Sequence, residues 1–262
     1  MHSQKTSFRN GYVLDLGMHM GDDTAYYLHR GFNVVAVEAN PELTRLVQEK
    51  FHDQIQAGSL AILNYALTAP HSGDLEFHIC DANLEWSSLE RWRVESTGHL
   101  ARIVRVPGIL LEEIIKEYGK PHYIKCDIEG ADGEFIAQLG RLAREELPAF
   151  VSIEGIEIEW LRDLARMGYD RAQLVNQARI RRGLEPPLAF SLGGEQRSWT
   201  FSGHSSGPFG TDLDVGRWIS IDEAVARWLK FLELQLADPQ MTLDIWFDFH
   251  VTTSQALGTL MR

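Results

Sequence analysis

Cysteine is nearly missing: the 262-residue chain has two, Cys80 and Cys126. Both lie in apolar, strand-like runs, so they read as reduced core residues of a cytosolic protein and not as a disulfide. No C-x-x-C spacing occurs, which excludes a thiolate metal site. Positive charge is also scarce, with 25 Lys and Arg against 37 Asp and Glu and a formal net charge of −12. That balance disfavours a nucleic-acid partner, because phosphate backbones reward clustered Lys and Arg. The one basic run, Arg179-Ile180-Arg181-Arg182, reads as a solvated helix face or loop. Long apolar runs are absent too. None approaches the roughly 20 residues that span a bilayer, and Met1-His2-Ser3-Gln4-Lys5 is polar. A soluble, cytoplasmic protein without a membrane partner is expected. There is no internal repeat and no low-complexity segment.

What is present is a core and a rhythm. Hydrophobic residues make up 44 % of the chain, enough to bury a sizeable interior. Strand-like and helix-like stretches alternate over about 170 residues. Strands are expected at 12–16, 33–38, 60–67, 123–127 and 149–154, around 174–175, and at 243–251. Residues 71–74 read as a turn, with added strands at 75–79 and 103–106. Helices are expected at 24–30 (capped by Asp22 or Asp23), from Pro41 onward, and at 110–118, 133–139, 157–167 and 222–236. In the Pro41 helix, Leu43, Leu46, Val47 and Phe51 share one face. The fold class is therefore α/β: a Rossmann-like, doubly wound sheet of seven strands, mostly parallel, with an antiparallel last strand. Residues 177–218 break the pattern. They are rich in Gly, Pro and Ser and carry Trp199, Phe201, Phe209 and Trp218. Such a stretch is too long for an ordinary connection, and it reads as an ordered loop or lid inserted into a single domain, 1–262.

In sheets of this kind ligands bind beyond the carboxyl ends of the strands. The tips here carry Asp15 and Gly17, Glu38 and Asn40, Asn64 and Ala66, Asp127 and Glu129, then Glu154. Acids at every tip suit a cofactor with hydroxyls and a cationic part, and would repel a pyrophosphate. The first turn, Asp15-Leu16-Gly17-Met18-His19-Met20-Gly21, gives G-x-x-x-G and lacks the full G-x-G-x-x-G of dinucleotide sites. Both features favour S-adenosylmethionine over NAD. Gly17 and Gly21 let backbone approach the cofactor, and Glu38 accepts from both ribose hydroxyls. Asn64 and Ala66 are placed near the adenine, and Asp127 near the amino-acid end or the transferred methyl. His19 lines the pocket or is merely exposed.

The blocks Val-Leu-Asp-Leu-Gly-Met-His-Met-Gly-Asp (13–22), Val-Glu-Ala-Asn-Pro (37–41), Asn-Tyr-Ala-Leu (64–67) and Tyr-Ile-Lys-Cys-Asp-Ile-Glu-Gly-Ala-Asp (123–132) resemble the FkbM family of S-adenosylmethionine-dependent methyltransferases. The resemblance covers residues 12 to about 155 and is strongest in Lys-x-Asp-x-Glu-Gly, Lys125 to Gly130. It departs from the family at the turn, which usually reads Gly-Ala-Asn-x-Gly. It implies a class I methyltransferase fold and O-methylation of hydroxyls on sugars, polyketides and other natural products. The acceptor, a small molecule or glycan, would enter beside 177–218, whose aromatics can stack on a ring. Candidate catalytic residues are Asp127, Glu129 and His204. Asp127 and Glu129, two apart, share a side in extended backbone, and His204 lies in a Gly- and Ser-rich run. His250 reads as a satisfied structural histidine. Trp86-Ser87-Ser88 either folds over the cofactor or packs. A divalent metal at the acidic tips is possible but not expected. Two alternatives remain open: an NAD-dependent oxidoreductase and a catalytically silent cofactor-binding module. No Asn/Asp-Pro-Pro-Tyr/Phe segment points to nucleic-acid methylation. The oligomeric state is open, with a homodimer one option.

Overall fold

The structure is a computed structural model and describes residues 8, 11–70, 73–155, 157–238 and 246–260. The chain divides into two compact units, Met1–Pro148 and Ala149–Arg262.

The N-terminal unit opens with β1 (Val13–Leu16), α1 (Asp22–His29), β2 (Val34–Val37), α2 (Pro41–Lys50), α3 (His52–Gln56) and β3 (Leu60–Leu63). It continues with β4 (Ala66–Leu67), β5 (Leu75–Ile79), α4 (Arg91–Ser96), β6 (Arg102–Val106), β7 (Gly108–Ile109), α5 (Leu111–Tyr118), β8 (Tyr123–Cys126) and α6 (Asp132–Leu139). β1, β2 and β8 are buried along their whole length, as central parallel strands must be. The strand order here is β8-β1-β2-β3, every neighbour parallel. The chain leaves β1 outward to β2 and β3, then returns to lay β8 on the other side. The tips of β1 and β8 therefore flank the point where the winding reverses, the place where such sheets bind ligands. β5 and β6 pair antiparallel, and their inner residues Phe77, Ile79 and Val106 form a small core with Ala66.

The C-terminal unit holds β9 (Phe150–Glu154), α7 (Ile158–Met167), β10 (Arg171–Asn176), α8 (Ala178–Arg181), β11 (Leu188–Leu192) and β12 (Glu195–Trp199). It ends with β13 (Ile219–Ser220), α9 (Ile221–Ala237), β14 (Phe247–Thr252) and α10 (Ser254–Leu260). The strand order here is β13-β10-β14-β9. β14 runs antiparallel to β9 and β10 and lies between them, so the antiparallel last strand is present. One face of this strand group is apolar: the rings of Phe247 and Phe249 pack edge-on against Trp228 of α9. The other face sets Ser152, His250 and Gln173 side by side in register, all buried.

The α/β, Rossmann-like class follows from the strand–helix alternation, with several local departures. The expected third strand breaks into β3 and β4 because the Asn64 amide turns to donate to Glu38 O and Ala39 O, after which Ala66 pairs with Gly108. α1 is capped by Gly21 in the left-handed region, and Asp22 and Asp23 lie inside its first turn. Leu46 stands off the buried stripe of α2 and is half-exposed. β13 was not expected. The 177–218 stretch contains a β11–β12 hairpin and a buried Phe209. Both cysteines are free and buried. Among the described residues no helix is long and apolar enough to cross a membrane. Residues 71–72 of the expected turn and 243–245 of the expected last strand lie outside the described residues.

Candidate active site

The turn after β1 brings main chain against main chain. Gly17 sits at φ +80°, and a Cβ there would lie 1.7 Å from the carbonyl oxygen of Asp127. Only glycine permits that approach of the β1 and β8 tips. Gly17 and Met18 both donate their N–H to Val37 O, at 3.0 and 3.1 Å, which ties the turn to the end of β2. Gly21, at φ +75°, would drive a Cβ to within 2.8 Å of the Phe51 ring, so α1 can start only on a glycine there.

The β2 tip carries Glu38, buried, with each oxygen held by backbone. Oε2 accepts the His19 N–H at 2.9 Å and Oε1 accepts the Asn40 N–H at 2.8 Å. Burial raises the Glu38 pKa, and these two amides work against that rise. His19 reaches its position through left-handed backbone, φ +50°, rare for a residue with a Cβ. Asn40 caps α2 through Oδ1, which accepts the Glu42 N–H at 3.0 Å. Its Nδ2 is buried and has no hydrogen-bond partner among the described residues.

Beneath the turn lies Lys125, an ammonium buried in the middle of the sheet. Its Nζ is 3.2 Å from Asp127 Oδ2, 3.2 Å from Gly17 O, and 3.7 Å from both Asp15 Oδ1 and Asp23 Oδ2. Asp15 is completely buried, and its Oδ2 accepts from the Thr24 hydroxyl at 2.6 Å. Burial raises its pKa, against the pull of Lys125.

After β8 the loop Asp127–Gly130 is fastened from a second side. Ser88 donates its hydroxyl to Glu129 O at 2.6 Å, and Arg93 Nη2 pairs with Glu129 Oε2 at 3.0 Å. Glu129 is left-handed, φ +47°, and the next residue, Gly130, is held at φ +107° against Arg93. Asp132 closes the loop by accepting the N–H of Ile128 and Gly130. Burial, with the neighbouring Asp127 carboxylate, pushes the Glu129 pKa up to about 7, although Arg93 opposes it.

Of the residues expected at the site, Asp15, Gly17, His19, Gly21, Glu38, Asn40, Asp127 and Glu129 gather at the β1, β2 and β8 tips. Asn64 lies beside the β2 tip and spends its amide on that backbone. Ala66 is turned into the Phe77–Ile79–Val106 core. His204 is exposed in the C-terminal unit, its N–H donating to Ser202 Oγ at 3.3 Å. Trp86 is 41 % exposed and stacked on His99, while Ser88 from the same segment holds Glu129. Sequence reasoning missed Lys125 and Arg93 as parts of the site. A lysine inside the otherwise apolar run of β8 was the available signal, since a buried charge needs partners. Arg93 offered none.

Two close-packed glycines, a buried acid at the β2 tip and acids at the β8 tip thus gather at one end of the parallel strands. The family model described as Methyltransferase FkbM domain matches residues 15–170, and the chain belongs to that S-adenosylmethionine-dependent methyltransferase family. Among solved structures it is similar to the methyltransferase FkbM from Methylobacillus flagellatus KT, at 16 % identity and TM-score 0.37, covering 62 % of this chain and 39 % of that one. It is also similar to precorrin-6y C5,15-methyltransferase from Geobacter metallireducens GS-15, at 9 % identity and TM-score 0.40, covering 97 % and 86 %. A third is an S-adenosylmethionine-dependent O-methyltransferase from Thermotoga maritima, at 8 % identity and TM-score 0.36, covering 95 % and 61 %. No curated protein matches the chain.

Proposed function

We propose that the chain methylates a hydroxyl on a small molecule, natural product or glycan. The observation that carries this reading is the pair of carboxylates at the β8 tip. Asp127 faces the Lys125 ammonium at 3.2 Å, while Glu129 has its pKa pushed up to about 7. A hydroxyl must lose its proton as the methyl arrives, and a carboxylate poised near neutral pH is suited to take it.

The residues present fit S-adenosylmethionine. Gly17 and Gly21 leave room where a Cβ would collide, and the Glu38 oxygens keep a lone pair each for ribose hydroxyls. Asn40 Nδ2 is a buried donor in need of an acceptor. When bound, the cofactor supplies a methyl made electrophilic by its sulfonium. Asp127 is assigned to the cationic amino-acid end and Glu129 to the acceptor's proton. No divalent metal enters this reading, and His204 is given no step.

The test is transfer of labelled methyl from S-adenosylmethionine to a panel of hydroxyl, amine and carbon acceptors. Label in alkali-stable ethers, lost in Glu129→Gln, is the expected result. Label on nitrogen or carbon would overturn the reading. Cofactor binding without transfer to any acceptor would favour a silent module.

A further inference from the structure

We infer that Lys125 is the positioning residue of the cofactor cleft, its buried ammonium locking the Gly17 carbonyl and the Asp127 carboxylate to one another. This rests on the reading of the β1 turn as the cofactor site. The geometry is tight. Lys125 is 4 % exposed and has both atoms at 3.2 Å. The two residues it joins already touch, since the position of a Cβ on Gly17 falls 1.7 Å from Asp127 O.

The turn is thus held from two sides. Val37 O accepts the N–H groups of Gly17 and Met18, and the Lys125 ammonium donates to the Gly17 carbonyl. The second tie fixes the rotation of the peptide that follows Gly17, and with it the path of residues 18–21. It also fixes the Asp127 side chain, whose backbone N–H is already bonded to Leu16 O at 3.1 Å. Asp15 and Asp23, each 3.7 Å from Nζ, counterbalance the buried cation, and Thr24 orients Asp15. An ammonium buried this deeply would be unfavourable without such partners.

A charge-conserving comparison separates position from charge. Lys125→Met alone strands buried carboxylates and risks the fold, so it is paired with Asp23→Asn, which keeps the summed charge of the cluster unchanged. A second double variant, Asp23→Asn with Lys125→Gln, restores a side-chain donor for Gly17 O and Asp127 without restoring charge. Each is melted without ligand and then titrated calorimetrically with S-adenosylhomocysteine. The expected result is that both fold, the Met variant binds at least about tenfold more weakly than wild type, and the Gln variant stays within about threefold. Wild-type affinity in the folded Met variant would overturn the inference, as would equal losses in both variants. Wild-type protein that does not bind the ligand at all would instead overturn the placement of the cofactor.

Discussion

Glu38 reaches from the end of β2 to the glycine turn, where its Oε2 accepts the His19 N–H at 2.9 Å. That bond and the one from Asn40 aim the carboxylate before any ligand arrives, so little ordering is left for binding. Glu38→Ala removes charge-assisted bonds whose loss costs about 1.5–3 kcal/mol. S-adenosylhomocysteine should then bind about 10- to 150-fold more weakly by calorimetry. An unchanged affinity would place the ribose elsewhere.

Gly17 tests the contact between the β1 and β8 tips. Even Gly17→Ala puts a Cβ 1.7 Å from Asp127 O and at an unfavourable φ, so β1 and β8 must separate. Both the melting temperature and cofactor binding should fall. Gly258, inside α10, has nothing within 4 Å of a Cβ, and Gly258→Ala should instead stabilise by about 0.5–1 kcal/mol. Equal effects of the two changes in thermal melts would contradict the close approach.

The Glu129 carboxyl, with its pKa near 7, faces Asp127, Asp132 and Arg93. Below pH 7 it is increasingly protonated and cannot accept a proton, so kcat/KM should decline on the acid side with an apparent pKa near 7. Glu129→Gln should remove that limb and lower turnover by about 10²–10⁴-fold. The folded-state value lies above the model-peptide value of 4.5. Stability from this group is therefore full below pH 4.5 and lost as pH rises through 7. An acid limb that persists in the Gln variant would assign the base to another residue.

How much of this was legible in the sequence depends on whether a residue acts near its own place in the chain. The positions of Gly17, Gly21 and Glu38 could be read because each is set by its own short stretch of chain: the turn after β1, the start of α1 and the end of β2. The Lys125–Gly130 block was legible for the same reason, down to its acids. The contacts of Lys125 with Asp15, Gly17 and Asp23 were not, since they join residues over 100 positions apart, nor was Arg93, 36 positions from Glu129. Nor was the setting of Asp15, which is completely buried, bonded to Thr24 and 3.7 Å from Lys125 Nζ. His250 was expected to be satisfied. It is buried, and its Nε2 has no hydrogen-bond partner among the described residues.

That burial lowers the His250 pKa to about 3. A depressed histidine contributes stability that is present above its unfolded value of about 6.5 and is lost as pH falls toward 3. Unfolding free energy should drop by up to about 1.4 kcal/mol per pH unit below 6.5 from this group alone. His250→Asn should flatten that slope in denaturant melts at pH 7, 6 and 5. Parallel slopes for variant and wild type would mean that His250 is not held neutral.

The most direct measurement is calorimetric titration of the purified protein with S-adenosylmethionine, S-adenosylhomocysteine and NAD. A site built on Gly17, Gly21 and Glu38 should bind both adenosyl ligands with 1:1 stoichiometry, hold them about 10- to 150-fold more weakly in Glu38→Ala, and ignore NAD. Binding of NAD, or no binding of either adenosyl ligand, would contradict the assignment of these strand tips to the methyl donor.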